Sequence, residues 1–169
     1  MRPENARVIA DYLIATIEIE IPTTIRVFEA VPTTDLDYRP DSLSKSARAL
    51  LRHIALEDEW FLDAVGDGQF GPPVDESDAC GLMTPADVIA RYRERIPAGL
   101  ARVKALPDEA LVRQVDMFGV LRLPAVSFLS LLLRHNAHHR GQLSAYLRAM
   151  GGKVPGIYGP SADTITATA

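Results

Sequence analysis

Four long stretches of this chain repeat their apolar residues every three or four positions, and Gly- and Pro-rich segments separate them. That period commits most of the sequence to helix. The first stretch runs from about Glu4 to Ala30, with Ile9, Leu13, Ile17, Ile21, Ile25 and Phe28 on the repeat. Pro22 falls inside it, removes one backbone donor, and predicts a kink or break. The second begins near Ser42 or Ser44, either of which can cap it, and runs through Leu50, His53 and Trp60 to about Val65. Gly66, Gly68, Gly71, Pro72 and Pro73 then enforce a loop. The third has the clearest start: Thr84 as cap, Pro85 at the first helical position and Asp87 in the first turn. It reaches about Leu106, with a kink expected at Pro97. The fourth spans about Pro124 to Met150, where Gly151 and Gly152 favour a left-handed cap. Between Leu111 and Leu123, alternating Val115, Met117 and Leu121 around Gly119 predict a short hairpin. Beyond the last helix, Pro155, Gly156, Gly159 and Pro160 predict a tail that wraps as a loop.

The fold expected is all-α: a four-helix bundle around one apolar core, with a short β-hairpin before the last helix. At 169 residues, the chain suits one domain, residues 1–169, with a sizeable core. Its charge of −4 and the lack of a dense Lys/Arg cluster argue against a nucleic-acid partner. The longest apolar run, Leu123 to Leu133, is broken by Pro124, Ser127 and Ser130 and stops at Arg134, too short to span a bilayer. Glu4 and Asp11 near the start are unlike a signal peptide. One cysteine, Cys80, excludes an internal disulfide and a cysteine-based zinc cluster, and favours a cytoplasmic setting. Cys80 has no base beside it in sequence and is not expected to be a catalytic thiol.

Chemistry concentrates on four histidines. His135, His138 and His139 lie in the run Arg134-His135-Asn136-Ala137-His138-His139-Arg140-Gly141-Gln142, and His53 lies on the second helix. At about 100° per residue, His139 is offset about 40° from His135, with Gln142 and Tyr146 on the same stripe. Two imidazoles at i and i+4 can converge on one ion, the reason zinc-binding helices use this spacing. His138 lies about 60° to the other side, at the edge of the stripe, so His139 is preferred as ligand. His53, amid Leu50, Ile54 and Leu56, offers the matching half from a second helix. Three histidines would leave a coordination position open, the mark of a reactive site. Glu57, one turn from His53, can be a fourth ligand, an acceptor for an imidazole N–H, or a general base. Gln142 can orient an imidazole or satisfy buried backbone. Arg140 can solvate a face or bind a carbonyl, and Trp60 and Tyr146 are more often core than substrate cage. The opposite face of the last helix, with Val126, Leu129, Leu133, Ala137, Ser144 and Leu147, is also apolar. It needs cover from a neighbouring helix or a second subunit.

The segments Leu50-Leu51-Arg52-His53-Ile54-Ala55 with Trp60, His135-Asn136-Ala137-His138-His139-Arg140-Gly141-Gln142-Leu143, Leu36-Asp37-Tyr38-Arg39-Pro40 and Gly151-Gly152-Lys153-Val154-Pro155 resemble the DinB-like (YfiT-like) metalloprotein superfamily. The resemblance covers nearly the whole chain. It implies a four-helix bundle with three histidine ligands, which map onto His53, His135 and His139. It also implies zinc, nickel or a related divalent ion, and a homodimer. Characterised relatives include transferases and isomerases dependent on bacillithiol or mycothiol, and a metal-dependent hydrolase. The function expected is a metal-dependent transferase that activates a low-molecular-weight thiol for a small-molecule substrate. The alternatives are a hydrolase or a non-catalytic metal-binding dimer. A carboxylate-bridged di-iron bundle is disfavoured, because no repeated Glu-x-x-His motif is present.

Overall fold

In the computed structural model, residues 1–165 are described. The elements are α1 (Pro3–Glu29), α2 (Ala47–Asp67), α3 (Pro85–Lys104), a single turn α4 (Asp108–Leu111), strands β1 (Gln114–Met117) and β2 (Leu121–Pro124), and α5 (Ala125–Ala149). Short 3-10 turns occupy Thr33–Asp35 and Asp78–Cys80. Helices α1 and α2 occupy opposite corners of the bundle, and α3 and α5 each pack against both. The core is filled by Ile17, Phe28, Leu50, Leu51, Ile54, Leu62, Ile96, Leu100, Phe128 and Leu129, all essentially fully buried. Each such side chain contributes about 1.5–3 kcal/mol by leaving water. Among the described residues no helix is long and apolar enough to cross a membrane.

The helix signals act largely as their residue types dictate. Thr84 and Asp87 form a reciprocal capping box at the start of α3, with Pro85 in the first turn. Gly151, at φ 79°, caps α5, and the Gly152 N–H reaches back to the Leu147 carbonyl at 2.7 Å. The tail that follows wraps as a loop, tied by the Val154 N–H to Asp163 at 2.9 Å. The hairpin is present in antiparallel register, Val115 opposite Leu123 and Met117 opposite Leu121. Its turn sets Phe118 at φ 53° and Gly119 at φ 74°, the two left-handed residues of a type I′ turn.

The expected cap of α2 is corrected, and the break allowed for at Pro22 is absent. Both α1 and α3 run on past their internal prolines, Pro22 and Pro97. Both prolines are exposed, and buried neighbours on each side, Ile17 with Ile25 and Ile96 with Leu100, anchor the helices to the core. The cap of α2 is Ser46, which accepts from the Ala49 N–H at 3.2 Å, not Ser42 or Ser44. Asp41 draws Leu43 and Ser44 into a turn of their own by accepting both their N–H groups, at 2.8 and 3.0 Å. The second apolar face of α5 is covered inside the chain: Val126, Leu129 and Leu147 are at 0% exposure and Ser144 at 8%. That is the first of the two covers the pattern allowed, a neighbouring helix of the same chain, while Leu133 and Ala137 stay half-buried.

Candidate metal centre

His53 lies mid-way along α2, and His135 and His139 lie one turn apart on α5. The contact between these two helices brings the three imidazoles edge to edge, with ring centroids 4.4–4.9 Å apart. The Nε2 atom of His53 lies 3.1 Å from Nε2 of His135 and 3.2 Å from Nε2 of His139. His138 is exposed, touches the His139 ring edge-on at 4.7 Å, and stands outside the cluster.

The outer nitrogens fix which inner nitrogens are bare. His53 Nδ1 lies 2.5 Å from Glu76 Oε1. Burial works to raise the Glu76 carboxyl, but the bonds and charges of His53 and Lys45 bring it down to about 2. It is an ionised acceptor, so His53 Nδ1 carries the hydrogen. His139 Nδ1 donates to Gln142 Oε1 at 2.7 Å. The Nε2 lone pairs of His53 and His139 therefore face each other, and two lone pairs form no hydrogen bond. Only a cation between them makes the contact attractive. A proton would serve two nitrogens, whereas a divalent ion accepts all three, and neutral imidazole Nε2 donors suit zinc and related metals. Burial, then the neighbouring histidine charges, hold the His135 pKa down at about 3. Burial also lowers that of His139, against the Gln142 bond. Both rings are thus poised to offer lone pairs at neutral pH. Among the described residues no fourth Cys, Asp, Glu or His joins the three.

Glu76 reaches His53 because Arg52 anchors its loop. Arg52 is 4% exposed. It donates to the carbonyls of Leu82 at 2.7 Å and Glu76 at 3.1 Å, and it pairs with Asp78 at 2.8 Å. Lys45 Nζ holds the other Glu76 oxygen at 2.6 Å. Nothing in the spacing of the sequence points to Glu76, which lies in a loop with 22 residues between it and His53. Glu57, singled out by sequence, sits close to His53 and Glu76 but takes no hydrogen bond from a described residue. Burial raises its pKa, mainly against the charge of His53.

Behind the histidines, α5 is bolted to the rest of the bundle. Asn136 donates to Asp58 Oδ2 at 2.6 Å, and Tyr92 donates to the same oxygen at 2.9 Å. Thr24 donates to Asn136 Oδ1 at 3.1 Å. Arg140 is 1% exposed, pairs with Glu20 at 2.6 Å, and donates to Thr24 and Tyr158. The expectation that Arg140 solvates a face or binds a carbonyl is thus corrected: a buried guanidinium needs a carboxylate, and Glu20 supplies it. Burial pushes the Asp58 carboxyl up to about 7, against the bonds from Asn136 and Tyr92.

In front of His139 a cleft of about 300 Å³ opens between Ser44, Lys45, Leu50, Gln142 and Tyr146. Tyr146 therefore lines the cleft, with its ring edge against Tyr38 at 5.5 Å. Trp60 packs with Phe61, Phe70 and Phe118 instead. A smaller cavity of about 160 Å³ between α2 and α3 is lined by Glu59, Asp63, Arg95 and Arg102, and none of the histidines lines it.

The chain as a whole is similar to known proteins. YjoA of Bacillus subtilis is 27% identical over 131 residues, which cover 76% of this chain and 82% of that protein. YrdA of the same organism is 39% identical over 56 residues, 33% of each chain. The crystal structure of YjoA, a DinB-like protein, superimposes with a TM-score of 0.69 at 20% identity, covering 89% of this chain and 99% of that one. A DinB-like protein from Bacillus cereus superimposes with a TM-score of 0.71 at 22% identity, covering 86% and 95%. The model of the DinB family matches residues 13–168, and the chain belongs to that family.

Proposed function

We propose that this protein is a metal-dependent transferase that joins a low-molecular-weight thiol to an electrophilic small molecule. Nε2 of His53, His135 and His139 would hold the ion, zinc or nickel. When bound, it supplies Lewis acidity that makes a thiol S–H far more acidic at neutral pH. The observation that carries this reading is the donor set: three neutral nitrogens, no fourth protein ligand among the described residues, and a cleft at His139. A purely structural site would be closed by a fourth side chain.

The chain's own residues divide the remaining work. Glu76 and Gln142 fix the tautomers of His53 and His139, so the nitrogens facing the ion are bare. Glu57, half-buried and without a hydrogen bond among the described residues, takes the thiol proton on a carboxylate oxygen, where its raised pKa makes it a better base. Sulfur then bonds to the electrophilic carbon, and the leaving group departs with its electron pair. The same carboxylate could deprotonate water, so a metal-dependent hydrolase is the close variant.

The protein acts in the cytoplasm, where small thiols are kept reduced and a lone Cys80 stays free. It pairs with a second copy through α1, whose Val8, Tyr12 and Ile19 are 69%, 71% and 73% exposed along one stripe. The test of function is product formation. Metal-loaded protein is incubated with bacillithiol or mycothiol and a haloalkyl electrophile, and the S-adduct is followed by mass spectrometry. A metal-dependent adduct, lost in Glu57→Gln, supports the transferase. Hydrolysis of ester or amide substrates without any adduct supports the hydrolase. Neither activity, with metal bound, supports a non-catalytic metal-binding dimer.

A further inference from the structure

We infer that Asp58 is a positioning residue for the three-histidine centre: through Asn136 it holds α5 against α2 at the separation one ion needs between His53 and the histidines of α5. This rests on the ion of the reading above and not on the reaction assigned to it.

The nitrogens stand close to the spacing an ion would give them. His53 Nε2 lies 3.1 Å from Nε2 of His135 and 3.2 Å from Nε2 of His139. Tetrahedral bonds of about 2.0–2.1 Å put about 3.3 Å between two ligand nitrogens. Facing lone pairs repel at that range until an ion joins them, so groups outside the rings must set the spacing. Glu76 and Gln142 turn the imidazoles, but neither bond runs from α2 to α5: Gln142 shares α5 with His139, and Glu76 sits in the loop that Arg52 pins to α2. The bond from Asn136 to Asp58 does cross, at 2.6 Å, between residues that are 4% and 0% exposed. Asn136 lies between His135 and His139 on α5, and Asp58 lies on α2 about 7.5 Å along the axis from His53. Two crossing points on one helix pair fix slide and rotation together. The same Asp58 oxygen accepts from Tyr92 of α3 at 2.9 Å, and Thr24 of α1 donates to Asn136 at 3.1 Å, so all the long helices meet here. Just beyond Asp58, Phe61 sets its ring against His135, with centroids 5.6 Å apart. Asp58 Oδ1 has no partner among the described residues, so its grip runs through Oδ2 alone. Apolar side chains of like volume commonly pack such a place as stably. What a buried polar cluster adds is one defined register.

The experiment measures zinc affinity by chelator competition, and the stability of the metal-free protein by urea melts. Asp58→Leu should weaken zinc binding by about tenfold while keeping most of the stability. Asp58→Asn is the conservative rescue. Its amide oxygen replaces Oδ2 and its NH2 group falls on the unpartnered side, so stability drops while zinc binding stays within about threefold. Leu100→Ala, at a core position on α3 that is 2% exposed, is the control for a merely structural effect: a clear loss of stability with zinc binding within about twofold. Cobalt-loaded Asp58→Leu should also absorb more weakly in the visible, as the three nitrogens depart from tetrahedral placement. If Asp58→Leu does not fold, Asn136→Ala carries the same expectation for zinc and cobalt. Zinc binding within threefold in Asp58→Leu or its substitute, an equal loss in Asp58→Asn, or an equal loss in Leu100→Ala would overturn the inference. Failure of the unaltered protein to bind zinc or cobalt would remove the centre itself, and this role with it.

Discussion

Glu76→Gln should weaken metal binding by about 10- to 100-fold, although Glu76 belongs to neither histidine helix. The magnitude follows from what the carboxylate does. It accepts from His53 Nδ1 at 2.5 Å, with only 14% and 21% of the two side chains exposed. A short, charge-assisted bond in that setting fixes the imidazole's tautomer and raises its basicity. The amide keeps an acceptor oxygen but loses the charge and the pairing with Lys45, so the ring becomes a poorer and less fixed donor. The expected loss corresponds to about 1.4–2.7 kcal/mol. Glu57→Gln is the control: Glu57 bonds to no histidine, so the loss should stay under about threefold. Competition against a chromophoric chelator near pH 7.5 measures both, with circular dichroism to confirm folding. A Glu76→Gln protein within twofold of the unaltered one, or a larger loss from Glu57→Gln, would refute this division of labour.

Histidine substitutions should separate sharply: His135→Ala and His139→Ala lose the ion, while His138→Ala binds within a few-fold in the same competition assay. An equal loss from His138→Ala would mean the wrong pair on α5. Asp58 should make metal-free protein less stable as pH rises, because burial lifts its carboxyl from 3.8 to about 7 and the folded state keeps the proton longer. That stability is full below pH 3.8 and is lost through about 7, at roughly 1.4 kcal/mol per pH unit. The stability of Asp58→Asn minus that of the unaltered protein, from urea melts, should therefore climb between pH 4.5 and 7. The histidine titrations, opposite in sign, cancel in that difference, and a flat difference would contradict the burial argument. Light scattering should report twice the chain mass of 18.5 kDa, and Tyr12→Glu should halve it. A monomer before substitution would remove the α1 interface.

Much of the frame was legible because it rests on local rules. Helical period, the Thr84–Pro85–Asp87 start, the Gly151 stop and the hairpin around Gly119 all use contacts within a few residues. The i,i+4 spacing of His135 and His139 is likewise local, and His53 stood out as a histidine amid apolar neighbours. The remainder depends on distant pairs. Glu76 is coupled to His53 only because Arg52 pins a loop, and Arg140 is buried only because Glu20, from α1, meets it. Packing also decides that α1 continues past Pro22: buried neighbours on both sides outweigh one missing donor. Of the two covers that the second apolar face of α5 allowed, a neighbouring helix or a second subunit, packing within the chain supplies most, which no helix-by-helix pattern reveals.

The most direct test of an open three-histidine centre is X-ray absorption at the metal edge of zinc-loaded protein, before and after adding a thiol. The account predicts about three imidazole nitrogens at about 2.0–2.1 Å with one exchangeable oxygen, replaced by a single sulfur at about 2.3 Å when thiol is present. Four protein ligands before addition and an unchanged spectrum afterwards would contradict it.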